Sequence, residues 1–463
     1  MRSGVSLVAI LLLAGCAREE RAFESARSAN SVPAYEKFLA DYPAAKRHSE
    51  AEKLLEELLW SKARDGTVRD DLDAYLHRFP TGAHGTQATQ ALMKLDWQEA
   101  DKGDSIAGFR AFMSKWPRGG LEEEALRRID DLDWKAVDKK VAADLKAFLR
   151  ANPDGRHYLD AAAALNELLG ARNAPTTIRY DYWMYSLPVM VAYHRGYFAR
   201  RDLAVVLVEG TRNPVRLDQD GWTMLAGVPL GELRSVDRIQ HKLKFSHAQY
   251  VTTASPIWSA LVARRESGLT AVAQLKGKVI NEAGGSAPLL DCLEKNGLHF
   301  EKDGQKDPEA VTVLVTTNGV FPDQITADAY LVSGYQFNRM EKKSPGAFVV
   351  LEHNLEAKYV ADPFYTGIDI FNAAFMQQQP ETVAGIVAAI DEAVDYIRAH
   401  PAEARLVWVN YGADKDLMPL IPLPEYLKSD DRVYAAALRK CGFDSFREET
   451  YLVGPAARSP ATR

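Results

Sequence analysis

Residues 275–293 carry a pattern suited to holding a small ligand. The segment LKGKVINEAGGSAPLLDCL contains a short apolar strand, the glycine pair Gly284-Gly285 and a helix that opens at Ser286. Glycines let the backbone approach a guest molecule closely, and the first N–H groups of a helix have no partner inside it. The stretch therefore indicates a binding site for a small ligand that carries a hydrogen-bond acceptor. An ordinary strand-to-helix turn with Ser286 as N-cap explains the same residues.

Other patterns that would indicate catalysis or metal binding are incomplete. The run GGSAP at 284–288 is close to the nucleophile elbow of hydrolases, but a proline replaces the closing glycine. The run DQDG at 218–221 begins like a calcium loop, but Gly227 stands where a bidentate glutamate is needed. His241 and His247 are too far apart to share one zinc-binding helical face cleanly. We therefore predict a protein that is not an enzyme, with no catalytic residue, no metal site and no cofactor.

The N-terminus is predicted to be a targeting segment. Arg2 is followed by an apolar run over 5–13 that is too short to span a bilayer. The end of this run, Leu13-Ala14-Gly15-Cys16, resembles a bacterial lipobox, which implies that Cys16 is lipidated and that the preceding residues are removed. Lipid chains on Cys16 would anchor the remaining chain to a membrane surface outside the cytoplasm. Ala17 permits sorting to the outer membrane, so the inner and outer membranes both stay open.

Length, charge and cysteine content narrow the class of protein. A chain of 463 residues exceeds what one core usually serves, so at least two domains are expected. The formal net charge of −6, without a basic run, argues against a nucleic-acid partner. Besides Cys16, only Cys292 and Cys441 are present, which is too few for a disulfide framework. Both are expected to be apolar fillers of helices, with a single bridge between them as the alternative.

Four copies of one helical unit are predicted over residues 31–170. Each copy places apolar residues at the i, i+3, i+4 and i+7 positions of a helix that ends at a proline, and a second helix follows. The prolines, 37, 37 and 36 residues apart, are Pro43, Pro80, Pro117 and Pro153, and the same 37-residue spacing separates Trp60, Trp97 and Trp134. The pattern resembles tetratricopeptide (TPR) arrays, which implies stacked helical pairs with aromatic core positions and a surface for another protein.

After a linker at 171–175, the pattern changes to short apolar runs that alternate with helices. This alternation indicates an α/β domain with a largely parallel sheet. The predicted strands are 177–182, 204–208, 278–280, 311–315, 329–332 and 348–351, and the predicted helices are 189–197, 288–296, 380–399 and 432–440.

Four segments of this region, in the right order, resemble the NitT/TauT-type substrate-binding proteins of ABC transporters, which have the type 2 periplasmic-binding fold. They are Gly196-Tyr197-Phe198 with Asp202-Leu203-Ala204-Val205, Leu261-Val262-Ala263-Arg264 with Ser267-Gly268-Leu269 and Leu275-Lys276-Gly277-Lys278, Asp328-Ala329, and the stretch from Gln379-Pro380-Glu381 to Pro401-Ala402-Glu403-Ala404. The resemblance implies two lobes joined by two crossover strands. A solute would be held in the cleft between them and retained by hinge closure.

The cleft should be lined by loops at the carboxyl ends of strands. The predicted ligand-binding residues are Trp183, Tyr185, Ser186, Ser255, Trp258, Gly285, Ser286, Ala287, Ser333, Gly334 and Tyr335. Their hydroxyls, free N–H groups and aromatic walls suit a small, flat or weakly charged solute. Core packing is the alternative for each of the aromatic side chains.

The predicted fold class is a TPR-like α-helical solenoid followed by an α/β two-lobe periplasmic-binding-protein type 2 domain. The predicted boundaries are 1–15 signal peptide, 16–30 tether, 31–170 TPR-like repeats, 171–175 linker, 176–455 substrate-binding-protein-like domain and 456–463 tail. Within the α/β domain, lobe 1 is predicted to comprise 176–262 and 364–455, and lobe 2 to comprise 266–350.

Together these patterns predict a lipid-anchored extracytoplasmic solute-binding protein of an ABC-type importer. Its predicted partners are a small-molecule solute, an ABC transporter permease, a membrane through the lipid anchor, and a protein on the helical repeats. The alternative is a scaffold or sensor lipoprotein that acts through its repeats and carries a repurposed binding domain.

Overall fold

The computed structural model describes residues 18–117, 119–171, 175–180, 184–210, 222–229, 243–283, 287–302, 307–316, 326–411, 415–431, 433 and 435–441. These residues form two compact units. The first comprises the chain up to Val137 together with Asp154–His157, and the second comprises Asp138–Pro153 and the chain from Tyr158 onward. None of the described helices is both long enough and apolar enough to cross a membrane.

Nine helices make up the described chain between residues 18 and 170. They are α1 (18–29), α2 (Val32–Asp41), α3 (His48–Ala63), α4 (Arg69–Arg78), α5 (Gly85–Gly103), α6 (Ile106–Lys115), α7 (Glu122–Ala136), α8 (Ala142–Ala151) and α9 (Tyr158–Gly170). Four aromatic residues of the repeat are buried, because they fall on the stripe that faces the neighbouring helix, whereas Trp60, Trp97 and Trp134 are half-buried. Tyr35, Tyr75, Phe109 and Phe148 are each at most 4% exposed.

A recurring carboxylate explains how successive helical pairs are joined in the first unit. Glu19 accepts a hydrogen bond from the backbone N–H of Lys46 (2.7 Å), and Glu56 accepts one from Ala83 (2.5 Å). Asp130 accepts the corresponding bond from His157 (3.1 Å), and each pair is 27 residues apart in sequence. Each carboxylate thus satisfies an N–H group near the start of a later helix, which stabilises that helix end.

Helix α1 belongs to this repeat, which differs from the predicted tether at 16–30. Phe23 is fully buried and packs edge-to-face on Phe38, with ring centroids 5.5 Å apart. Phe23 stands 37 residues before Trp60, so α1 is the second helix of an earlier copy. The prediction missed it because this copy has only one helix in the described chain and a phenylalanine in place of the tryptophan.

The last helical pair packs with the α/β domain in the second compact unit. The Arg195 guanidinium lies between the Tyr158 and Tyr396 rings, 4.3 and 4.0 Å from their centroids. The same guanidinium donates to the carbonyl of Pro153 (3.0 Å), and Asn166 donates to the carbonyl of Tyr193 (2.9 Å). Cation–π contacts and hydrogen bonds therefore hold α9 and the end of α8 against the domain.

Two six-stranded sheets form the α/β domain. The first contains β1 (Thr176–Tyr180), β2 (Val205–Glu209), β3 (Met224–Pro229), β4 (Leu243–Val251), β11 (Phe364–Asn372) and β12 (Glu425–Tyr426) in the order β12-β4-β11-β3-β1-β2. The second contains β5 (Ser259–Arg264), β6 (Val279–Ala283), β7 (Phe300–Lys302), β8 (Val311–Thr316), β9 (Ala329–Ser333) and β10 (Phe348–His353) in the order β10-β5-β9-β6-β8-β7.

Parallel and antiparallel pairs mix in each sheet. Strand β1 is parallel to β2 and β3, whereas β11 is antiparallel to β3 and β4. Strand β6 is parallel to β8 and β9, whereas β5 is antiparallel to β9 and β10. The helices of the domain are α10 (Leu187–His194), α11 (Ala287–Lys295), α12 (Gly334–Lys343), α13 (Leu355–Tyr359), α14 (Ala373–Gln378), α15 (Pro380–Ala399), α16 (Pro401–Arg405) and α17 (Ala435–Lys440).

Each sheet is the centre of one lobe, and the chain passes between the sheets twice. The first crossover is 252–258 and the second is 354–363. Strand β5 lies wholly in the second sheet, because it pairs with β9 and β10. The predicted boundary at 262 had assigned its first residues to lobe 1. Helical repeats followed by a two-lobe α/β domain are the fold class that the sequence predicted.

Asn354 ties the two crossovers together. Its Nδ2 donates to the carbonyls of Thr252 (3.1 Å) and Ser255 (2.9 Å), and its Oδ1 accepts from the Trp258 N–H (2.7 Å). The side chain is fully buried, and the residue has a left-handed φ of +48°, which asparagine tolerates better than most residues. One side chain thus fixes the backbone on both sides of the connection.

The two remaining cysteines belong to different cores, and no disulfide joins them. Cys292 packs in the core of the second sheet, and Cys441 packs against the first sheet beside Leu243 and Ile370. The expectation that they are buried apolar fillers is confirmed by their low exposure, 0% and 4%.

Candidate ligand-binding site

Two predicted aromatic residues meet where the lobes join. Tyr185 lies on a 3-10 turn, Met184–Ser186, between the first strand and α10. Trp258 ends the first crossover, and its ring packs edge-to-face on Tyr185 with centroids 6.0 Å apart. Both rings are half-buried and border the core of the first lobe. The structure therefore brings together two side chains that are 73 residues apart in the sequence.

Helix α12 brings three further predicted residues to the same junction. The N–H of Gly334 donates to the carbonyl of Trp258 (2.7 Å), and a Cβ built at Gly334 would overlap the carbonyl oxygen of Ile257. Tyr335 is half-buried and packs against the core of the first lobe. Only glycine permits this approach of the helix to the first crossover.

Ser333 forms its own helix cap. Its hydroxyl accepts from the N–H of Gln336 (3.3 Å), and the Gln336 side chain accepts from the Ser333 N–H (2.8 Å). This capping box occupies one N–H of the helix end, so α12 offers fewer open donors than an uncapped helix.

Two other predicted serines hold the backbone. Ser186 is fully buried and donates to the carbonyl of Ala226 (2.9 Å), so its side chain has no surface on a cleft. The Ser255 hydroxyl accepts from the Thr252 N–H (2.9 Å) within the first crossover. Their hydroxyls fix the first lobe and the hinge segment, respectively.

Part of the predicted site lies outside the described residues: Trp183, Gly285, Ser286 and the lipidation site Cys16. Ala287 is the first residue of α11, as the sequence predicted for a helix beginning after the glycine pair.

Gln249 was not predicted, and it is the polar group that stands out beside Tyr185. It lies on β4, is 3% exposed, and its Nε2 has no hydrogen-bond partner in the described part of the chain. A Cβ built at Gly367 would overlap this Nε2 and would lie 3.3 Å from Cδ1 of Tyr185. The amide and the ring therefore flank one glycine. A buried donor without a partner is costly. This amide is closed to solvent in the described structure, so a ligand acceptor would reach it only after the surrounding residues move apart.

Two carboxylates of the first lobe have opposite pKa shifts. Burial raises the pKa of Asp369 from 3.8 to about 6, against the attraction of His247 and the hydrogen bond from the Gly227 N–H (2.7 Å). Burial also acts to raise the pKa of Asp391, but hydrogen bonds from His247 (3.1 Å) and from Ser429 (2.7 Å) outweigh it and hold the pKa at about 2. Asp391 is therefore a firmly ionised partner, whereas Asp369 titrates in the mildly acidic range.

Ser246, His247 and Asp391 have the connectivity of a hydrolase triad. Ser246 Oγ lies 3.0 Å from His247 Nδ1, and His247 Nε2 lies 3.1 Å from Asp391 Oδ1. Ser246 is fully buried and His247 is 4% exposed, so a substrate carbonyl cannot reach the hydroxyl. The geometry supports a structural network that joins β4 to α15 and not a nucleophile.

One group among the described residues has the donor types of a metal site: Asp130, Asp131 and His157. Asp130 accepts from the His157 backbone N–H, and Asp131 lies 2.9 Å from His157 Nε2. The His157 ring also stacks on Trp134 (5.5 Å). These groups are engaged in joining repeat helices.

A family model described as NMT1/THI5 like matches residues 183–404. The match covers 222 of the 463 residues, slightly less than half of the chain. The prediction of a NitT/TauT-type substrate-binding domain is confirmed for this part of the chain. The matched residues include the whole second sheet, four of the six strands of the first sheet, the Tyr185–Trp258 pair and Gln249.

Several solved structures are similar to this domain. The periplasmic aliphatic sulphonate binding protein SsuA from Escherichia coli has 16% identity and a TM-score of 0.45, covering 61% of this chain and 89% of its own. The alkanesulfonate-binding protein SsuA from Xanthomonas axonopodis pv. citri, bound to MOPS, has 16% identity and a TM-score of 0.39, covering 58% and 90%. The desulfurization enzyme DSZB has 14% identity and a TM-score of 0.40, covering 57% and 89%. Such distant likenesses carry no argument about ligand or reaction. No curated protein sequence matches the chain.

Proposed function

We propose that this protein is a lipid-anchored, extracytoplasmic solute-binding protein of an ABC-type importer that holds a small solute between its two lobes. The observation that carries the proposal is the corner formed by Tyr185, Trp258 and the unpartnered amide of Gln249, at the junction of the lobes. Aromatic walls with one buried donor suit a small, flat solute that carries a hydrogen-bond acceptor.

The proposed site also includes the residues that lie outside the described chain, Trp183, Gly285 and Ser286, and the start of α11 at Ala287. A helix N-terminus offers open N–H groups, so α11 would supply further donors from the second lobe. A solute that touches both lobes favours the closed state, because only that state makes both sets of contacts.

The proposed closure is a hinge motion about the two crossovers. In the described structure, α12 of the second lobe contacts the 3-10 segment Lys415–Leu420 of the first. Asn338 donates to the carbonyl of Leu420 (2.8 Å), and Lys342 donates to the carbonyl of Asp416 (3.1 Å). Opening would break these bonds while Asn354 keeps the crossovers joined, so bending would concentrate at the ends of the crossovers.

The proposed anchor is lipid on Cys16, and the proposed partner is an ABC permease that receives the solute. Ala17 permits outer-membrane sorting, and the choice of membrane stays open in this proposal. We also propose that the helical repeats bind a protein partner.

A ligand screen with two variants tests the binding site. Thermal shift and calorimetry would be run against sulfonates, nitrate, pyrimidines and short amides, because any ligand of the folded state raises its midpoint by mass action. Gln249→Leu removes the amide without breaking a described hydrogen bond of that side chain, so it should retain the melting temperature and lose binding about tenfold or more. Ser186→Ala is the control for a structural effect. It removes the buried hydrogen bond to the Ala226 carbonyl, so it should lower the melting temperature.

The result decides between two functions. A hit that is weakened by Gln249→Leu supports the solute-binding role. No hit across a broad panel, with a well-folded protein, would favour the scaffold or sensor lipoprotein that acts through its repeats.

A further inference from the structure

A cavity of about 310 Å³ lies within the second compact unit, where α8 meets the α/β domain. It is lined by Lys146 and Arg150 of α8, Arg200 and Arg201 of the 3-10 turn Ala199–Arg201, and Glu392 of α15. Four cationic side chains and one carboxylate therefore face the same space. We call this cavity the cationic pocket. None of its lining residues belongs to the proposed cleft site formed by Tyr185, Trp258 and Gln249.

Positive charge exceeds negative charge in the cationic pocket. Glu392 pairs with both Arg200 and Arg201, the latter at 2.9 Å. Lys146 pairs with Asp202, whose side chain is 73% exposed. Arg150 is exposed, and no described residue pairs with it. With four cations against Glu392 and Asp202, two positive charges have no counter-charge among the residues that the structure describes.

Arg200, which lines the cationic pocket, also has an unused donor. The Nε of Arg200 is buried and has no hydrogen-bond partner in the described chain. A guanidinium has five N–H donors in a planar fork that matches the oxygens of a phosphate. A buried donor without a partner is costly, so an oxyanion in the cavity would remove that cost.

The side of the cationic pocket formed by Arg200 and Arg201 is held in place before any anion arrives. The Arg200 guanidinium lies over the Tyr197 ring, 4.7 Å from its centroid. Arg201 donates to the carbonyl of Tyr197 (2.9 Å), and Arg195 bonds the Tyr197 hydroxyl (3.0 Å). Arg195 also donates to the carbonyl of Pro153 (3.0 Å), just after α8, so these contacts hold the arginines of the turn close to the end of α8. Such preorganisation lowers the cost of binding a counter-ion.

We propose that the cationic pocket binds a phosphate group, either free in solution or as the phosphomonoester headgroup of a lipid. A phosphate dianion matches the two uncompensated charges, and its oxygens would accept from Arg150, Lys146 and the Arg200 Nε. The bound anion would bridge α8 to the α/β domain and fasten the last helical pair to it. This site is independent of the solute that the cleft takes.

Calorimetry on the full chain in detergent tests the proposal, with sodium phosphate and with dihexanoyl phosphatidic acid as titrants and dihexanoyl phosphatidylcholine as the lipid control. Arg150→Gln is the informative variant, because this exposed side chain has no described partner to lose on mutation. It should weaken phosphate binding about tenfold or more. Arg179→Gln, an exposed arginine of β1 outside the cationic pocket, makes the same change of charge and should bind as the wild type does.

Each outcome of the calorimetry either supports or overturns the proposed phosphate site. Binding of inorganic phosphate that depends on Arg150 and persists in Gln249→Leu supports a free anion at this site. Binding of phosphatidic acid but not of inorganic phosphate, again dependent on Arg150, supports the headgroup. Absence of both, or equal weakening in Arg150→Gln and Arg179→Gln, overturns the proposal. Melting curves of the two variants should coincide with the wild type without phosphate, and loss of folding in Arg150→Gln would transfer the test to Lys146→Gln.

Discussion

Replacing Asp369 by asparagine should make the protein more stable at neutral pH. The carboxylate is 4% exposed, and its burial raises its pKa from 3.8 to about 6. The folded state therefore holds a proton on Asp369 more firmly than the unfolded state does. Above pH 6 the folded protein must keep a buried charge, which costs free energy.

The magnitude follows from the two pKa values. They differ by about two pH units, and each unit corresponds to 1.36 kcal/mol, so ionisation of Asp369 costs roughly 3 kcal/mol at pH 7.5. An asparagine oxygen can still accept the hydrogen bond from the Gly227 N–H (2.7 Å). The attraction to His247, whose Nδ1 lies 3.8 Å away, is already included in the pKa of about 6. Burying the asparagine NH2 group without a partner offsets part of the gain, so the net gain should be about 1–3 kcal/mol.

The sign of the pH dependence is specific. The contribution of protonated Asp369 to the free energy of unfolding is fully present below pH 3.8. It is lost as the pH rises through about 6. The advantage of the asparagine variant should therefore be largest at pH 7.5, smaller at pH 5 and close to zero at pH 4. The shift of Asp391 acts at lower pH, between about 4 and about 2, so the two windows are separate.

Urea unfolding followed by fluorescence at pH 7.5, 6, 5 and 4 measures the effect. The comparison is between the wild type, Asp369→Asn and the control Asp430→Asn, which changes an exposed carboxylate and should shift stability by less than about 0.5 kcal/mol. A gain that is equal at all pH values, or a loss at pH 7.5, would refute the reasoning. A loss at pH 7.5 would mean that the folded protein stabilises the charge on Asp369. An equal gain at all pH values would mean that the effect does not come from the charge.

Three further changes have expected effects on unfolding by urea. Gly334→Ala should destabilise the protein by about 1–3 kcal/mol, because its Cβ would overlap a backbone carbonyl, whereas Gly170→Ala, whose Cβ meets nothing within 4 Å, should change little. Phe23→Ala should cost the helical unit about 3–5 kcal/mol through the cavity that it leaves, whereas Leu126→Ala, at a side chain that is 55% exposed, should be nearly neutral. Asp391→Asn should lose about 2 kcal/mol at pH 7, and the loss should fade as pH falls from about 4 toward about 2.

Each of these three predictions has a result that would contradict it. A Gly334→Ala protein as stable as Gly170→Ala would show that α12 does not approach the first crossover as described. Equal effects of Phe23→Ala and Leu126→Ala would place α1 outside the helical core. A pH-independent loss in Asp391→Asn would assign its effect to packing and not to charge.

The sequence predicted the features that depend on local periodicity. Helix α15 has the predicted bounds, 380–399, because a proline begins it and its apolar residues keep one face over five turns. The repeat was visible because aromatic residues and prolines recur at a fixed spacing. Helix α1 was missed because a single phenylalanine carries that spacing at its position.

The site depends on contacts between distant segments, which periodicity does not specify. The sequence placed Tyr185 and Trp258 among the predicted ligand-binding residues, but it did not predict the contact between their rings. Gln249 could not be found in this way, because a glutamine within a strand has no motif, and its lack of a partner emerges only from the register of β4 against β11. Likewise, a serine at a strand end looks the same in sequence whether its hydroxyl serves a ligand or, as at Ser186, a neighbouring carbonyl.

The order of strands along the chain has a consequence for how new specificities arise. Residues 259–353 build the whole second sheet as one uninterrupted insertion, and its two ends come together where the N–H of Asn354 donates to the carbonyl of Ser259 (2.8 Å). A segment whose ends adjoin can be exchanged as a cassette without re-routing the surrounding chain. The second lobe can thus be exchanged by recombination while the first lobe and the helical repeats are kept.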